Sequence, residues 1–186
     1  MPRYIALLRA VNVGGRVVKM DRLRALFEEG GFSHVETFIA SGNVLFNSSS
    51  KSGPALERTI ETLLRASLGY DVATFVRTLA EVQQVAAYEP FSAAVMATPY
   101  HAIYVSFLRE PPSAEARRAV AALRGPTDDF HIQGRELYWL SRVPFGESKI
   151  AGPLLERILS MPATSRNVTS VRKLAASCAD ASGSPS

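Results

Sequence analysis

The sequence predicts an α+β protein made of two ferredoxin-like units with antiparallel sheets and an extra C-terminal helix. Three observations support this fold class. Strand-like and helix-like segments follow the order β-α-β-β-α-β twice along the chain. Glycine or proline separates most of these segments. The 186 residues, 47% of them hydrophobic and 20% charged, are typical of a globular chain of one to two domains.

Four strands and two helices are predicted in a first unit at residues 1–89, which also includes a linking helix. The predicted strands lie at residues 4–11, 34–40, 43–47 and 72–77. The two helices begin near Asp21, an acceptable N-cap, and near Pro54, which suits a first helical turn. Glycines end both helices. Thr78 and Glu81 form a capping box that starts the linking helix.

The second half repeats this order in a unit at residues 100–178, after a linker region at 90–99. The predicted strands lie at residues 103–108, 130–133, 136–140 and 163–166. The predicted helices lie at residues 113–123, 153–159 and 167–178, and the last of them is the extra helix. Residues 179–186 are small and polar, which predicts a disordered tail.

Several classes of protein do not fit this chain. No apolar run approaches the roughly 18 residues of a membrane span, so we expect no membrane partner. The N-terminal segment contains Arg3 and Arg9 and no small-residue cleavage site, which indicates a strand and not a signal peptide. The single cysteine, Cys178, excludes an intramolecular disulfide and favours a reducing, cytoplasmic location.

Positive charge is concentrated in two segments. The chain has a net charge of +4 and an isoelectric point near 9.5. Most of the excess of arginine and lysine lies in residues 1–27 and 135–178. Such segments are compatible with nucleic acid or another polyanion as a partner, or with two solvated faces and no ligand.

A candidate anion site follows the first predicted strand. Asn12, Gly14 and Gly15 lie between that strand and the first helix, with Arg9 before them and Lys19 behind. Consecutive glycines can form an anion nest of backbone N–H groups, and a helix N-terminus adds partial positive charge. The segment lacks the ending of a phosphate-binding P-loop and is not a dinucleotide fingerprint. A plain flexible turn is the alternative.

A second candidate lies in the turn between the second and third strands. Ser41, Gly42 and Asn43 most simply form a hairpin turn with positive φ at one of the last two residues. Ser41 and Asn43 are also candidate ligand-binding residues. We expect this turn and the first loop to lie at opposite ends of the sheet, so that a site joining them would need the second unit.

Four residues of the second half complete the predicted site. Arg166 precedes the last helix, where a cation opposes the helix dipole, and a bound anion would remove this repulsion. The alternative is an exposed arginine whose cost is screened by salt. Asn167 can cap the helix, and Lys149 and Lys173 are further candidate cations.

No catalytic residue is identified, and no metal or cofactor is expected. Ser148 and Lys149 could form a nucleophilic pair, but adjacency in sequence does not place the amine on the hydroxyl, and a polar loop is the alternative. The three histidines lie in separate strands without zinc-ligand spacing. Tyr138 and Trp139 are neighbours on a strand and point to opposite faces, so at most one could stack on a nucleic-acid base.

Five segments, in this order, resemble the uncharacterised bacterial family called domain of unknown function 1697. They are residues 8–15 with Lys19 and Met20, residues 41–44, residues 134–138, residues 148–149, and residues 162–168 with Val171, Lys173 and Leu174. The resemblance covers about residues 3–176. It implies an α+β fold of two ferredoxin-like parts and implies no reaction.

The sequence therefore predicts a cytoplasmic protein that binds a phosphate-bearing anion, either nucleic acid or a phosphorylated metabolite. Two alternatives remain open. One is a protein-interaction or dimerisation module, since open sheets often pair, with a homodimer as the simplest case. The other is an enzyme acting on a small phosphorylated substrate, which a pocket joining Arg166 and Lys149 would favour.

Overall fold

The computed structural model describes residues 1–12, 14–38 and 42–181, with side chains described as far as residue 178. The strands are β1 (Arg3–Leu8), β2 (Ser33–Phe38), β3 (Asn43–Asn47), β4 (Thr74–Thr78), β5 (Ala102–Phe107), β6 (Asp128–Gln133), β7 (Glu136–Ser141) and β8 (Thr164–Asn167). The helices are α1 (Met20–Glu29), α2 (Gly53–Leu68), α3 (Leu79–Ala87), α4 (Ala93–Met96), α5 (Ala114–Ala121), α6 (Gly152–Leu159) and α7 (Val168–Ala181). The predicted fold class is confirmed, because each half forms a four-stranded antiparallel sheet with the expected strand order.

The first unit, Met1–Val82, is built on the strand order β2-β3-β1-β4. Helices α1 and α2 cover one face of the sheet, where alternate residues of β1 and β3 join the helices in one core. This core includes Tyr4, Leu8, Leu26, Phe27, Phe46 and Ile60. Ile5 and Leu7 point to the other face and are also fully buried, so β1 is apolar on both faces as its sequence indicates.

Local signals in the sequence explain where helix α2 begins and ends. The Ser52 hydroxyl accepts a hydrogen bond from the Ala55 N–H at 3.3 Å, and Pro54 occupies the first turn. Gly69 ends the helix with a φ of 81°, a left-handed conformation that glycine adopts without a steric penalty. The predicted capping box also forms, with the Thr78 N–H and the Glu81 carboxylate 2.7 Å apart.

The second unit, Gln83–Ser186, has the strand order β6-β7-β5-β8. Helices α5 and α6 cover one face, over a core that contains Phe130, Leu137 and Trp139. On the other face Ile103 and Leu140 pack with Val168, the first residue of α7. Helix α7 therefore covers part of the face that α5 and α6 leave open.

Three boundaries differ from the sequence prediction. The division between the units falls inside α3, after Val82. The last part of this helix belongs to the second unit, where the Val85 carbonyl accepts a hydrogen bond from the Tyr138 hydroxyl. The region 90–99 contains the short helix α4, which Ser92 caps through the Val95 N–H at 3.3 Å. Helix α7 runs on to Ala181, and the predicted tail from residue 182 onward lies outside the described residues.

The expected separation of the first loop from the β2–β3 turn is wrong. The antiparallel register pairs Leu7 with Asn43, and the Leu8 N–H donates to the Gly42 carbonyl at 2.9 Å. Strand β1 therefore ends where β3 begins. The reason lies in chain direction, since a helix connection returns the chain and makes β1 and β2 run the same way, so both end at one edge of the unit.

Candidate functional site

Three connections meet at one end of the first sheet. We call this surface the loop end, and it consists of the β1–α1 loop (residues 9–12 and 14–19), Gly42 with Asn43, and the α2–β4 turn (residues 69–73). The Arg9 N–H donates to the Ala73 carbonyl at 2.9 Å, which attaches the loop to the turn before β4. The predicted residues Arg9, Asn12, Gly14, Gly15, Lys19 and Asn43 all lie here, and Ser41 lies outside the described residues.

Side-chain contacts hold the β1–α1 loop in a defined shape. The Asn12 side-chain carbonyl accepts the Val18 N–H at 2.7 Å and so closes the loop on itself. The Tyr70 hydroxyl donates to the Val11 carbonyl at 3.1 Å. The Arg16 guanidinium lies 4.2 Å above the centre of the Tyr70 ring, a cation–π contact. These contacts attach the described part of the loop to the start of α1 and to the α2–β4 turn.

Three of the described residues of this loop have positive φ. Ala10 has a φ of 53°, and Gly14 and Gly15 have φ values of 68° and 79°. A left-handed alanine costs about 1–2 kcal/mol relative to a right-handed one, and strained residues of this kind cluster at functional sites. Gly14 and Gly15 adopt this left-handed conformation without the steric penalty that a side chain would bring.

Exposed cations surround the start of α1. Arg16 and Lys19 are exposed, and Arg9 is partly buried. Lys19 is the N-cap residue and makes no side-chain capping bond, whereas Asp21, the expected N-cap, lies in the first turn. The Asp21 carboxylate is paired with Arg24 at 3.0 Å. The positive end of the helix dipole and the side chains of Arg16 and Lys19 therefore add to one positive surface.

Asn43 has a structural position. Its side chain is 2% exposed, and its amide nitrogen donates to the Phe38 carbonyl at 3.2 Å across the β2–β3 turn. Gly42 supplies the predicted positive φ, at 76°. A Cβ atom on Gly42 would lie 3.0 Å from Val11 Cγ1, so the turn packs tightly against the end of β1.

Arg166 directly precedes Asn167, the residue that caps the last helix. It belongs to β8, where its guanidinium donates to the Thr164 hydroxyl at 2.8 Å and to the Ser165 carbonyl at 2.9 Å. Burial lowers the pKa of the Arg166 guanidinium to about 10. Asn167 caps α7 by accepting the Thr169 N–H at 2.9 Å, as its position predicts.

Lys149 and Arg166 do not converge on one pocket. Lys149 follows Ser148, whose hydroxyl donates at 2.9 Å to Asp128 in β6. Strands β6 and β8 are the two opposite edges of the second sheet, with β7 and β5 between them. Lys173 is exposed on α7. Lys149 and Arg166 are therefore separated, and the expectation of a pocket that joins these two residues is not met.

The aromatic residues of the central strands are buried. Tyr138 is 1% exposed and Trp139 is 6% exposed, and Phe46 on β3 is fully enclosed. The Trp139 indole N–H donates to the Asp128 carboxylate at 2.7 Å. None of these three rings is available for stacking on a nucleic-acid base in the way that RNA-recognition motifs use theirs.

Sequence reasoning missed Tyr70 and the role of Arg16. Tyr70 lies 54 positions after Arg16 in the sequence, and only the register of the sheet brings their side chains together. The usable signal was the position of Tyr70 directly after Gly69, because the α2–β4 turn lies at the same end as the β1–α1 loop once chain direction is followed.

The fold defines a class of double ferredoxin-like α+β proteins, here with a cationic loop at one end of the first sheet. The family model described as "Protein of unknown function (DUF1697)" matches residues 1–138, and the chain belongs to this family. The resemblance found in the sequence is thereby confirmed. Among curated proteins, none matches the chain.

A solved structure with the same fold is that of a conserved bacterial protein, SP0830, from Streptococcus pneumoniae. It is 24% identical, its TM-score is 0.73, and the match covers 95% of this chain and 98% of that one. This similarity supports the double-unit fold over nearly the full length. In the described part of the chain, every helix is too short or too polar to cross a membrane.

Proposed function

We propose that this protein binds a phosphate-bearing ligand, either nucleic acid or a phosphorylated metabolite, at the loop end of the first unit. One observation is central to the proposal: the positively charged β1–α1 loop is held in a single shape at the N-terminus of α1. The holding contacts are the Asn12–Val18 and Tyr70–Val11 hydrogen bonds and the Arg16–Tyr70 stacking. A site ordered in advance loses less conformational entropy when a ligand binds.

The chemistry of the loop end favours phosphate over other ligands. Arginine and lysine side chains beside a helix N-terminus supply N–H donors and positive charge together, which is how phosphate groups are commonly bound. Arg16 and Lys19 are exposed there, and the left-handed backbone at Ala10 is the kind of strain that clusters at functional sites. Acidic groups nearby are partly neutralised, since Asp71 pairs with Arg65 at 3.0 Å.

The mode of contact should be phosphate-directed and not base-directed. The loop end is open, with no atom within 4 Å of a Cβ built on Gly14 or Gly15. The aromatic rings of the central strands, those of Phe46, Tyr138 and Trp139, are buried. We therefore expect little sequence preference and a steep loss of affinity as salt rises, if the ligand is a nucleic acid.

Dimerisation by strand pairing at β4, one edge of the first sheet, is less favoured. The outward N–H groups of edge strand β4 are occupied by carboxylates: Thr74 N–H by Glu61 and Val76 N–H by Glu57, each at 2.9 Å. An edge whose donors are already bonded is a poor template for a strand of a second copy. A cytoplasmic site of action is also part of the proposal, supported by the single, buried cysteine.

The test is the binding of short labelled single-stranded RNA and DNA, measured by fluorescence anisotropy at several salt concentrations. Lys19→Glu is the test variant and Lys51→Glu is its control. Both lysines are exposed, both lie in the first unit, and they lie at opposite ends of its sheet. Lys19→Glu should weaken binding by about tenfold, because a charge-assisted hydrogen bond contributes about 1.5–3 kcal/mol.

The metabolite form of the proposal is tested in parallel by calorimetry with nucleoside monophosphates and inorganic pyrophosphate. Binding of these compounds without binding of RNA or DNA would identify a small ligand. Equal loss of affinity in the Lys19→Glu and Lys51→Glu proteins would show that only net charge matters. That result, or no binding by any of these ligands at low salt, would reject the loop end as the site.

A further inference from the structure

A second group of cations lies in the second unit, far along the chain from the loop end. A cavity of about 160 Å³ opens between α5 and the edge strand β6. Its polar lining is Arg117, Arg124 and His131, and Val120, Phe130 and Ile132 contribute the apolar part. We propose that this cavity binds a small oxyanion, such as phosphate, sulfate or the terminal phosphate of a larger ligand, independently of the loop end.

The two arginines are fixed by contacts with the backbone. Arg117 donates from Nε to the Pro112 carbonyl at 3.3 Å and from Nη2 to the Gly134 carbonyl at 3.4 Å. Arg124 donates from Nη2 to the Phe130 carbonyl at 2.7 Å. Among the described residues, no protein partner occurs for Nη1 of either arginine, so both guanidinium groups keep N–H donors for a ligand.

Negative charge near the cavity is limited. Asp129 pairs with Arg124 Nε at 3.0 Å and also accepts the Phe130 N–H at 2.9 Å. It does not line the cavity. Among the residues that the structure describes, Asp129 pairs with Arg124 and not with Arg117, whose contacts are to backbone carbonyls, so positive charge remains at the cavity. Arginine donors in a fixed geometry are suited to the oxygens of phosphate and sulfate.

His131 responds to this excess charge. Its Nε2 lies 2.8 Å from the Tyr88 hydroxyl, which also donates to the Gln133 side chain at 3.2 Å. Burial first, and then the positive charges of Arg124 and Arg117, lower the pKa of His131. An anion in the cavity would offset both arginines, so the imidazole can report the occupancy of the site.

The size of the cavity fits the proposed ligand. At roughly 30 Å³ per water molecule, 160 Å³ accommodates a tetrahedral oxyanion of five heavy atoms. The cavity opens at the edge of the sheet beyond β6, so a group attached to the oxyanion would extend into solvent. The alternative to anion binding is a purely structural role, in which the arginines only cover carbonyl groups at an edge strand.

The experiment follows the ring C–H signals of the three histidines by NMR across a pH titration, in sodium sulfate and in sodium chloride of equal ionic strength. Sulfate is the probe because its charge does not change in this pH range, and His131→Gln assigns the signal. We expect the pKa of His131 to rise by about one unit in sulfate, as a nearby opposite charge predicts. His34 and His101 are exposed and serve as internal controls.

Variants separate the ligand role from the structural role. Arg124→Gln and Arg117→Gln should abolish the sulfate-dependent shift, Arg124→Lys should keep part of it, and Arg118→Gln, an exposed neighbour on α5, should leave it intact. Lys19→Glu should also leave it intact, which makes this test independent of the function proposed above. An unchanged His131 pKa in sulfate, or an equal shift at all three histidines, would overturn the proposal.

Discussion

A buried aspartate attaches the β7–α6 loop to the second sheet, and its removal provides a quantitative test of the structure. Asp128 is 5% exposed and accepts three hydrogen bonds. Its Oδ1 accepts from the Trp139 indole at 2.7 Å and from the Ser148 hydroxyl at 2.9 Å, and its Oδ2 accepts from the Thr127 hydroxyl at 2.6 Å. We expect Asp128→Ala to release the loop and to destabilise the second unit.

The magnitude follows from which donors lose their partner. The Trp139 N–H is buried and would be left unsatisfied, which costs about 1–3 kcal/mol. Ser148 is partly exposed and Thr127 is exposed, so water can replace the carboxylate at both hydroxyls at little cost. With about 0.5 kcal/mol for each of the two hydroxyl bonds, the free energy of unfolding should therefore fall by about 2–4 kcal/mol for Asp128→Ala. It should fall by about 1 kcal/mol for Asp128→Asn, which keeps an acceptor for the indole.

Urea denaturation followed by tryptophan fluorescence measures this directly, because Trp139 is the only tryptophan in the chain. A loss of about 2–4 kcal/mol corresponds to a midpoint lowered by roughly 1–2 M urea for a typical slope. Asp129→Ala is the neighbouring control, since its ion pair with Arg124 is partly exposed and should contribute about 1 kcal/mol or less. Equal losses for Asp128→Asn and Asp128→Ala, or a loss below that of Asp129→Ala, would refute the reasoning.

Three further predictions concern an edge strand, a turn and a histidine. Glu57→Ala should lower the free energy of unfolding by about 1–3 kcal/mol and promote self-association, measured by sedimentation, because it uncovers the Val76 N–H on β4. Gly42→Ala should cost about 2–3 kcal/mol by thermal denaturation because the new Cβ would crowd the end of β1, whereas Gly15→Ala meets no atom and should cost about 1 kcal/mol for its positive φ alone. The pKa of His131 is lowered on folding, so its contribution to stability is present above pH 6.5 and is lost as the pH falls through the lowered value. Stability measured in urea at pH 8 and pH 5 should fall less in His131→Gln than in the unmodified protein, and an equal fall would contradict the assignment.

The fold could be predicted from the sequence because its signals are local. Alternating apolar residues, the Pro54 and Gly69 helix boundaries and the Thr78–Glu81 capping box each act over a few residues, and the structure confirms them. The error concerned chain direction. Placing the β2–β3 turn opposite the first loop ignored that β1 and β2 run the same way, and the pairing of Leu7 with Asn43 corrects it.

The candidate site was predicted only in part, because side-chain partners depend on tertiary contacts. Arg16 could be recognised as a cation but not as the partner of Tyr70, which lies in another connection. Arg166 was interpreted as a cation that either binds an anion or is exposed, whereas its guanidinium is partly buried and donates to Thr164 and Ser165 within β8. The cavity lined by Arg117 and Arg124 joins residues from separate elements, and no short motif indicates it.

The most direct test of the central claim maps ligand contacts on the backbone. Amide ¹H–¹⁵N spectra of the full chain would be recorded while a short 5′-phosphorylated oligonucleotide is added at low salt. We expect the largest shift changes at the amides of residues 9–19, including Gly14 and Gly15, with smaller changes at Gly42, and their loss in Lys19→Glu. No shift changes at saturating ligand, or changes confined to residues of the second unit, would contradict the proposal that the loop end binds phosphate.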